Sequence, residues 1–373
     1  MNMNKLMMLA TASLISIESF AQPVTKIGNL YYELNSENKH ATVSHETIYH
    51  KNGTFDFTQY SGNIVIPETT THNGVTYKVT SIKAKAFYCN EKLTSVTIPN
   101  SIEIIGDEAF SYCSGLTSIK IPASVKTIGI MAFAYTGLNS IEVDKTNKFF
   151  DSRNDCNALI NSTTNELLAG SDKTVIPNSV TKIAKAAFSE CMIKSIVIPN
   201  SVKEIGKEAF QNCTNLVSVT LPNSLKVIER STFHGCTNLK SIFLPESLTT
   251  IGDVAFEHSG LESITIPANV KEIGIRAFDE CNNLQTVTNM ATVPQTIYDG
   301  TFSSFNQLNV PEGSLEVYKN SPIWNQFFNT TGIDNVRVPV STTCDGAYSL
   351  SGQRLYKTFK GVNIINGKKY ISK

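Results

Sequence analysis

Between residues 79 and 302 the apolar positions of the chain return in a fixed phase, and the polar positions return with them. One unit and the start of the next, residues 198–225, read IPNSVKEIGKEAFQNCTNLVSVTLPNSL. The phase is marked by a phenylalanine that follows alanine or threonine: Phe87, Phe110, Phe133, Phe188, Phe210, Phe233, Phe256, Phe278 and Phe302. The steps between them are 23, 23, 55, 22, 23, 23, 22 and 24 residues. A period in the low twenties predicts a solenoid, in which each unit buries its apolar face on its neighbours. The 55-residue step holds one lost phase mark and an insertion.

Within the unit, Leu216, Val219 and Leu221 take positions one, four and six of L-x-x-L-x-L-x-x-N/C-x-L, the leucine-rich repeat pattern. Polar residues alternate with these aliphatics, as in a half-buried strand. Pro222 ends the strand, because proline cannot donate to a ladder. Position nine holds Ser101, Ser124, Ser179, Ser201, Ser224, Ser247 or Asn269. A short polar side chain at a tight turn satisfies local backbone groups, so this row is expected to be an internal hydrogen-bonding ladder rather than a set of nucleophiles. One aromatic per unit predicts a stacked spine inside the coil rather than a cofactor box. The expected fold is a β-rich repeat solenoid with a parallel sheet, one strand per repeat, and little helix before Ser314. Eight rungs at about 4.8 Å give a sheet roughly 40 Å long.

The motif I-P-x-S-V-x-x-I-G-x-x-A-F-x-x-C-x-x-L-x-S-V resembles the BspA-like leucine-rich repeat, over residues 79–302. The resemblance implies a secreted or surface-exposed protein of host-associated anaerobic bacteria. It also implies adhesion, since some members are described as binding host matrix or plasma proteins.

The flanks differ from the repeats. Lys5, the apolar run at residues 6–17 and the small-x-small site at Ser19-Phe20-Ala21 predict a signal peptide, residues 1–21, cut before Gln22. The residue directly after the cut is not cysteine, and no other apolar run approaches membrane-spanning length. Residues 22–79 alternate like short strands and are expected to form an N-terminal β-rich cap over the first repeats, residues 80–143. The insertion, residues 144–173, carries Phe149 and Phe150 and is expected to project from one face before the repeats resume at 174–310. Residues 311–335 are expected to close the far end, with a short helix behind Ser314 and cover from Trp324, Phe327 and Phe328. In residues 336–373, Tyr348-x-Leu350-x-Gly352, Lys360-Gly361 and the run from Ile364 to Lys369 resemble tails of exported proteins. In some of those proteins the tail is a sorting signal for type IX secretion; a terminal β-hairpin is the other reading.

Lysines and arginines number 32 and aspartates and glutamates 32, a net charge of zero. That balance argues against nucleic acid, which wants a basic footprint, and against electrostatic docking on a membrane. Cys113, Cys191, Cys213, Cys236 and Cys281 sit three residues after the spine phenylalanine, a slot that Thr136 and Ser259 also take. Such a slot is small and buried. Side chains stacked in one direction make poor disulfides, so free thiols are favoured over pairing, although an exported chain meets an oxidising compartment.

Nothing in the chain points to catalysis or to a cofactor. His40, His45 and His50 alternate faces, and His234 and His258 fall at variable, exposed positions. There is no C-x-x-C, G-x-S-x-G, P-loop, H-E-x-x-H or dinucleotide fingerprint. Three non-enzymatic roles remain: a protein-binding adhesin, a structural envelope scaffold, and a glycan-binding surface component. An exposed aromatic row would favour the glycan, and the strand face offers none. That face is mostly small and polar, with exceptions at Val197, Val217 and Phe243 beside Lys194 and Lys240. These five residues, together with Phe149 and Phe150, are the candidate partner contacts.

Overall fold

The computed structural model describes residues 23–49 and 55–328, and beyond them the backbone of strands Val336–Val340, Ala347–Tyr348, Arg354–Leu355, Gly361–Ile365 and Lys368–Ser372. The signal-peptide expectation lies outside these residues.

Each repeat makes one turn with three sides. The first side is the strand read from the sequence, stacked in parallel from turn to turn. Ile119 pairs with Ile141, Ile196 with Val219, and Ile264 with Val287, which pairs in turn with Leu308. These aliphatics are buried and the serines before them are exposed. The proline then starts a turn: Ile102, Val125, Val180, Val202, Leu225, Leu248 and Val270 each donate their N–H to the carbonyl of the proline three residues back.

The second side corrects the expectation of one strand per repeat. The residues before the repeat glycine form a second parallel ladder, in which Ile104 lies between Ser81 and Thr127, Lys182 pairs with Glu204, and Thr250 lies between Val227 and Glu272. Most of its rungs are only two residues long, too short for an alternation to register in the sequence. Gly206 closes this side because a Cβ there would meet the Lys185 nitrogen at 2.6 Å.

The third side is a column of turns around the spine. The residues two before and two after each phenylalanine mostly have positive φ, although few are glycine: Glu108 (52°) and Tyr112 (60°), Glu208 (62°) and Asn212 (56°), Val254 (49°) and His258 (56°). The alternation aims the N–H groups one way. Glu208, Phe210 and Asn212 donate to the carbonyls of Arg230, Thr232 and His234, and Val254, Phe256 and His258 to those of Ile275, Ala277 and Asp279, always one turn towards the C-terminus.

Inside, the phenylalanines stack as expected. Phe87, Phe110 and Phe133 form one run, with centroids 5.0 and 5.3 Å apart. Phe188 to Phe302 form a second, with rings 5.0–5.5 Å apart. The seven described cysteines are free thiols. Four of those in the repeat slot donate to the carbonyl of an earlier spine phenylalanine, among them Cys213 to Phe188 at 3.0 Å and Cys281 to Phe256 at 3.0 Å, while Cys191, after the insertion, donates to Gly170 O. The position-nine ladder is only partly made. Ser124 reaches Ile102 O at 2.6 Å and Ser247 reaches Leu225 O at 2.6 Å, while the buried hydroxyls of Ser101 and Ser201 have no partner.

The insertion is also a correction, because it does not simply project. Phe150–Asp151 and Leu159–Asn161 pair antiparallel, Leu159–Asn161 pairs Glu166–Ala169, and Glu166–Ala169 joins the second ladder in parallel at Lys182–Ile183. Its apolar residues fill the gap between the two runs of the spine. Ala158, Ile160 and Leu167 belong to the core of the later repeats, and Phe150, Leu159 and Ala169 to that of the earlier ones.

At the N-terminal end, Val24–Ile27, Leu30–Asn35 and His40–Ser44 form an antiparallel set, and His40–Ser44 runs parallel to Val75–Ile82 at the head of the second ladder. At the other end Trp324 and Phe327 are buried against Phe302, and Trp324 Nε1 donates to Gln295 O at 2.8 Å. The helix is there, Leu315–Lys319, but the Ser314 hydroxyl makes no capping bond. In the tail, Gly361–Ile365 and Lys368–Ser372 form a hairpin within a four-stranded antiparallel sheet.

Candidate protein-binding surface

The outward face of the first ladder is built of columns, because parallel strands in register set equivalent residues one above another. One column runs Val197, Thr220, Phe243, with Val197 paired to Thr220. Another runs Lys194, Val217, Lys240, and the Val217 N–H donates to Lys194 O at 2.9 Å. The five strand-face candidates thus fall in two adjacent columns, with Val217 between the two lysines and Thr220 between Val197 and Phe243.

Burial sorts the members. Val197 is 65% exposed and Val217 56%. Phe243 is half-buried rather than clear of the surface. Lys194 is exposed, and its ammonium has no charged or hydrogen-bonding partner among the described residues. Lys240 is held by Glu262 at 2.9 Å, and that bond raises its pKa above the ordinary lysine value.

Two residues were missed. Val175 holds the same repeat position as Val197, 22 residues earlier, and is 73% exposed. Met192, just before the Ser195–Val197 strand, is also exposed, with the Asn215 amide 3.9 Å from its sulfur. The insertion hides this in the sequence, since Val175 opens the rung directly after the one whose phase mark is lost. The only signal for it is the repeat of V-I-P-N-S-V at residues 175–180 and 197–202.

The insertion contributes less than expected. Phe150 is buried in the core and touches no outside partner, because its strand is stitched into the second ladder. Phe149 remains exposed, but Asn147 anchors its segment to Pro122 O and Val125 O at the proline corner, so it lies away from the valine columns.

Of the two repeat histidines, His258 is exposed as expected and His234 is not. His234 is half-buried, with Nδ1 3.1 Å from the buried carboxylate of Glu257, which Arg276 holds at 2.5 Å. Burial pushes the His234 pKa down. Among the described residues no group of three or more histidines, cysteines or acids is placed to hold a metal ion, and no helix is long and apolar enough to cross a membrane.

Comparison with known proteins matches the chain to the BspA type leucine-rich repeat region, in six copies over residues 74–165, 169–285 and 239–357. Among solved structures, the pneumococcal vaccine antigen PcpA is 19% identical, over 79% of this chain and 95% of its own, with a TM-score of 0.54. A leucine-rich cell surface protein of Faecalibacterium prausnitzii is 25% identical over 73% and 96% of the chains, with a TM-score of 0.43. A leucine-rich repeat protein of Bacteroides ovatus is 25% identical over 77% and 76%, with a TM-score of 0.44. The comparison with curated protein sequences gave no match.

Proposed function

The chain belongs to the BspA-type leucine-rich repeat family, and on that premise we propose that it is an exported, non-enzymatic protein that binds a protein partner, of the host matrix or plasma, through the face of its first ladder. One observation carries the reading. Val175, Val197 and Val217 are exposed at outward positions of three consecutive repeats, and Met192 is exposed within the same stretch. Grouped exposure of this kind needs a reason; scattered exposure does not. A flexible methionine among rigid valines, with the unpaired Lys194 at the rim, suits a protein surface with an apolar centre and an acidic edge.

Surface plasmon resonance of the exported chain against immobilised matrix and plasma proteins tests this. A partner is expected whose affinity falls about tenfold or more on Val197→Asp with Val217→Asp, and less on Phe243→Ala, since Phe243 is half-buried. Full affinity in the double aspartate variant, with loss on Phe149→Ala, moves the contact to the insertion. No partner at all leaves the scaffold role.

A further inference from the structure

The same face changes character beyond Phe243. From the rung of Leu261 to that of Leu308, its outward side chains are hydroxyls and amides: Ser263 and Thr265, then Gln285, Thr286 and Thr288, then Gln307 and Asn309. At one border Glu262 is already paired with Lys240 at 2.9 Å, and at the other Asn309 lies in register with Arg337 of the next strand. Part of the set is pre-oriented. Gln307 donates to Asn309 Oδ1 at 3.0 Å, and Asn309 donates to Thr288 Oγ1 at 3.2 Å. Another part is uncommitted: the side chains of Ser263, Asn283 and Gln285 have no protein partner among the described residues. With Glu262 these three border a shallow, open depression of the surface.

We propose that this stretch binds an extended neutral glycan, laid along the solenoid axis with successive sugars on successive rungs. The chemistry selects the class. A neutral glycan offers many hydroxyls and no charge, and amide and hydroxyl side chains both donate and accept. A protein partner would be met by aromatic, methionine or arginine anchors, which these rungs lack. A polyanion would be met by a row of cations, and the outward residues of these rungs supply none. The repeat matters as much as the residue types. Rungs about 4.8 Å apart present the same groups again and again, so a polymer of similar pitch gains from each additional rung it covers. The site is separate from the valine columns and stands or falls independently of the protein-binding reading.

The test uses the exported chain and neutral oligosaccharides of glucose, mannose, galactose and N-acetylglucosamine, two to six sugars long, measured by titration calorimetry. One series is expected to bind, and to bind about tenfold or more tightly at six sugars than at two. Its affinity should be unchanged by molar salt. Asn283→Ala with Gln285→Ala should weaken it about tenfold or more while leaving the unfolding temperature unchanged. Val197→Asp should leave it intact. The proposal is overturned if no neutral series binds, if the double variant binds fully, or if binding belongs to a sulfated glycan and disappears with salt.

Discussion

Val254 holds φ at 49° with a β-branched side chain, a conformation that suits glycine. Val254→Gly is therefore expected to raise stability by about 1 kcal/mol, measured by denaturant unfolding, where glycine in a strand would lower it. The thiols give a second test. Burial pushes Cys113 and Cys236 up to about 12 and Cys281 to about 11, so none is a thiolate at neutral pH. Iodoacetamide should label them only after unfolding. His45 gives a third. Its ring is buried 4.4 Å from Phe57, and burial, helped by Lys83 and opposed by Glu33, holds its pKa below the ordinary imidazole. A depressed imidazole folds neutral, so its contribution is complete above about pH 6.5 and is lost as pH falls below that, because the unfolded chain takes up the proton first. The melting temperature of the natural chain should drop more between pH 7.5 and 5.5 than that of His45→Phe. The small buried slot was legible because Cys, Thr and Ser share it. The left-handed positions were not, since Glu, Tyr, Val and His occupy them without a common type.

The spine shows why one element could be read so directly and another not. A phenylalanine returning every 22–24 residues fixes both the turn length and what fills the interior. Phe233 is fully buried between Phe210 and Phe256, 5.5 Å from each, so Phe233→Ala should cost about 3–5 kcal/mol of unfolding free energy. The second ladder left no such mark. Its rungs of two residues, such as Glu204–Ile205, are held by neighbouring turns rather than by their own alternation. The insertion failed differently. Its hydrophobic residues read as a hairpin, which is correct, but a hairpin can stand off a solenoid or be sewn into it, and the deciding partner, Lys182–Ile183, is recognisable only once the second ladder is known.

Across the whole molecule the repeats form two stacks joined at the insertion. Gly170 sits at the joint with no room for a side chain, since a Cβ would lie 2.0 Å from the Phe188 ring. Gly170→Ala should destabilise the joint by about 1–3 kcal/mol and separate denaturant unfolding into two transitions, as expected when coupling between neighbouring units is weakened. The candidate surface was half legible at this scale: Val197 and Val217 keep the repeat phase, while Val175 is displaced from view by the insertion that precedes it. The turn column has a consequence of its own. Peptide dipoles that all point along the axis add, as in a helix. Cutting the coil between Phe210 and Phe233 would bare carbonyls on one piece, those of Arg230, Thr232 and His234, and N–H groups on the other, those of Glu208, Phe210 and Asn212. The two pieces are thus opposite poles, and fragments expressed separately should reassemble in their native order but not with either end reversed.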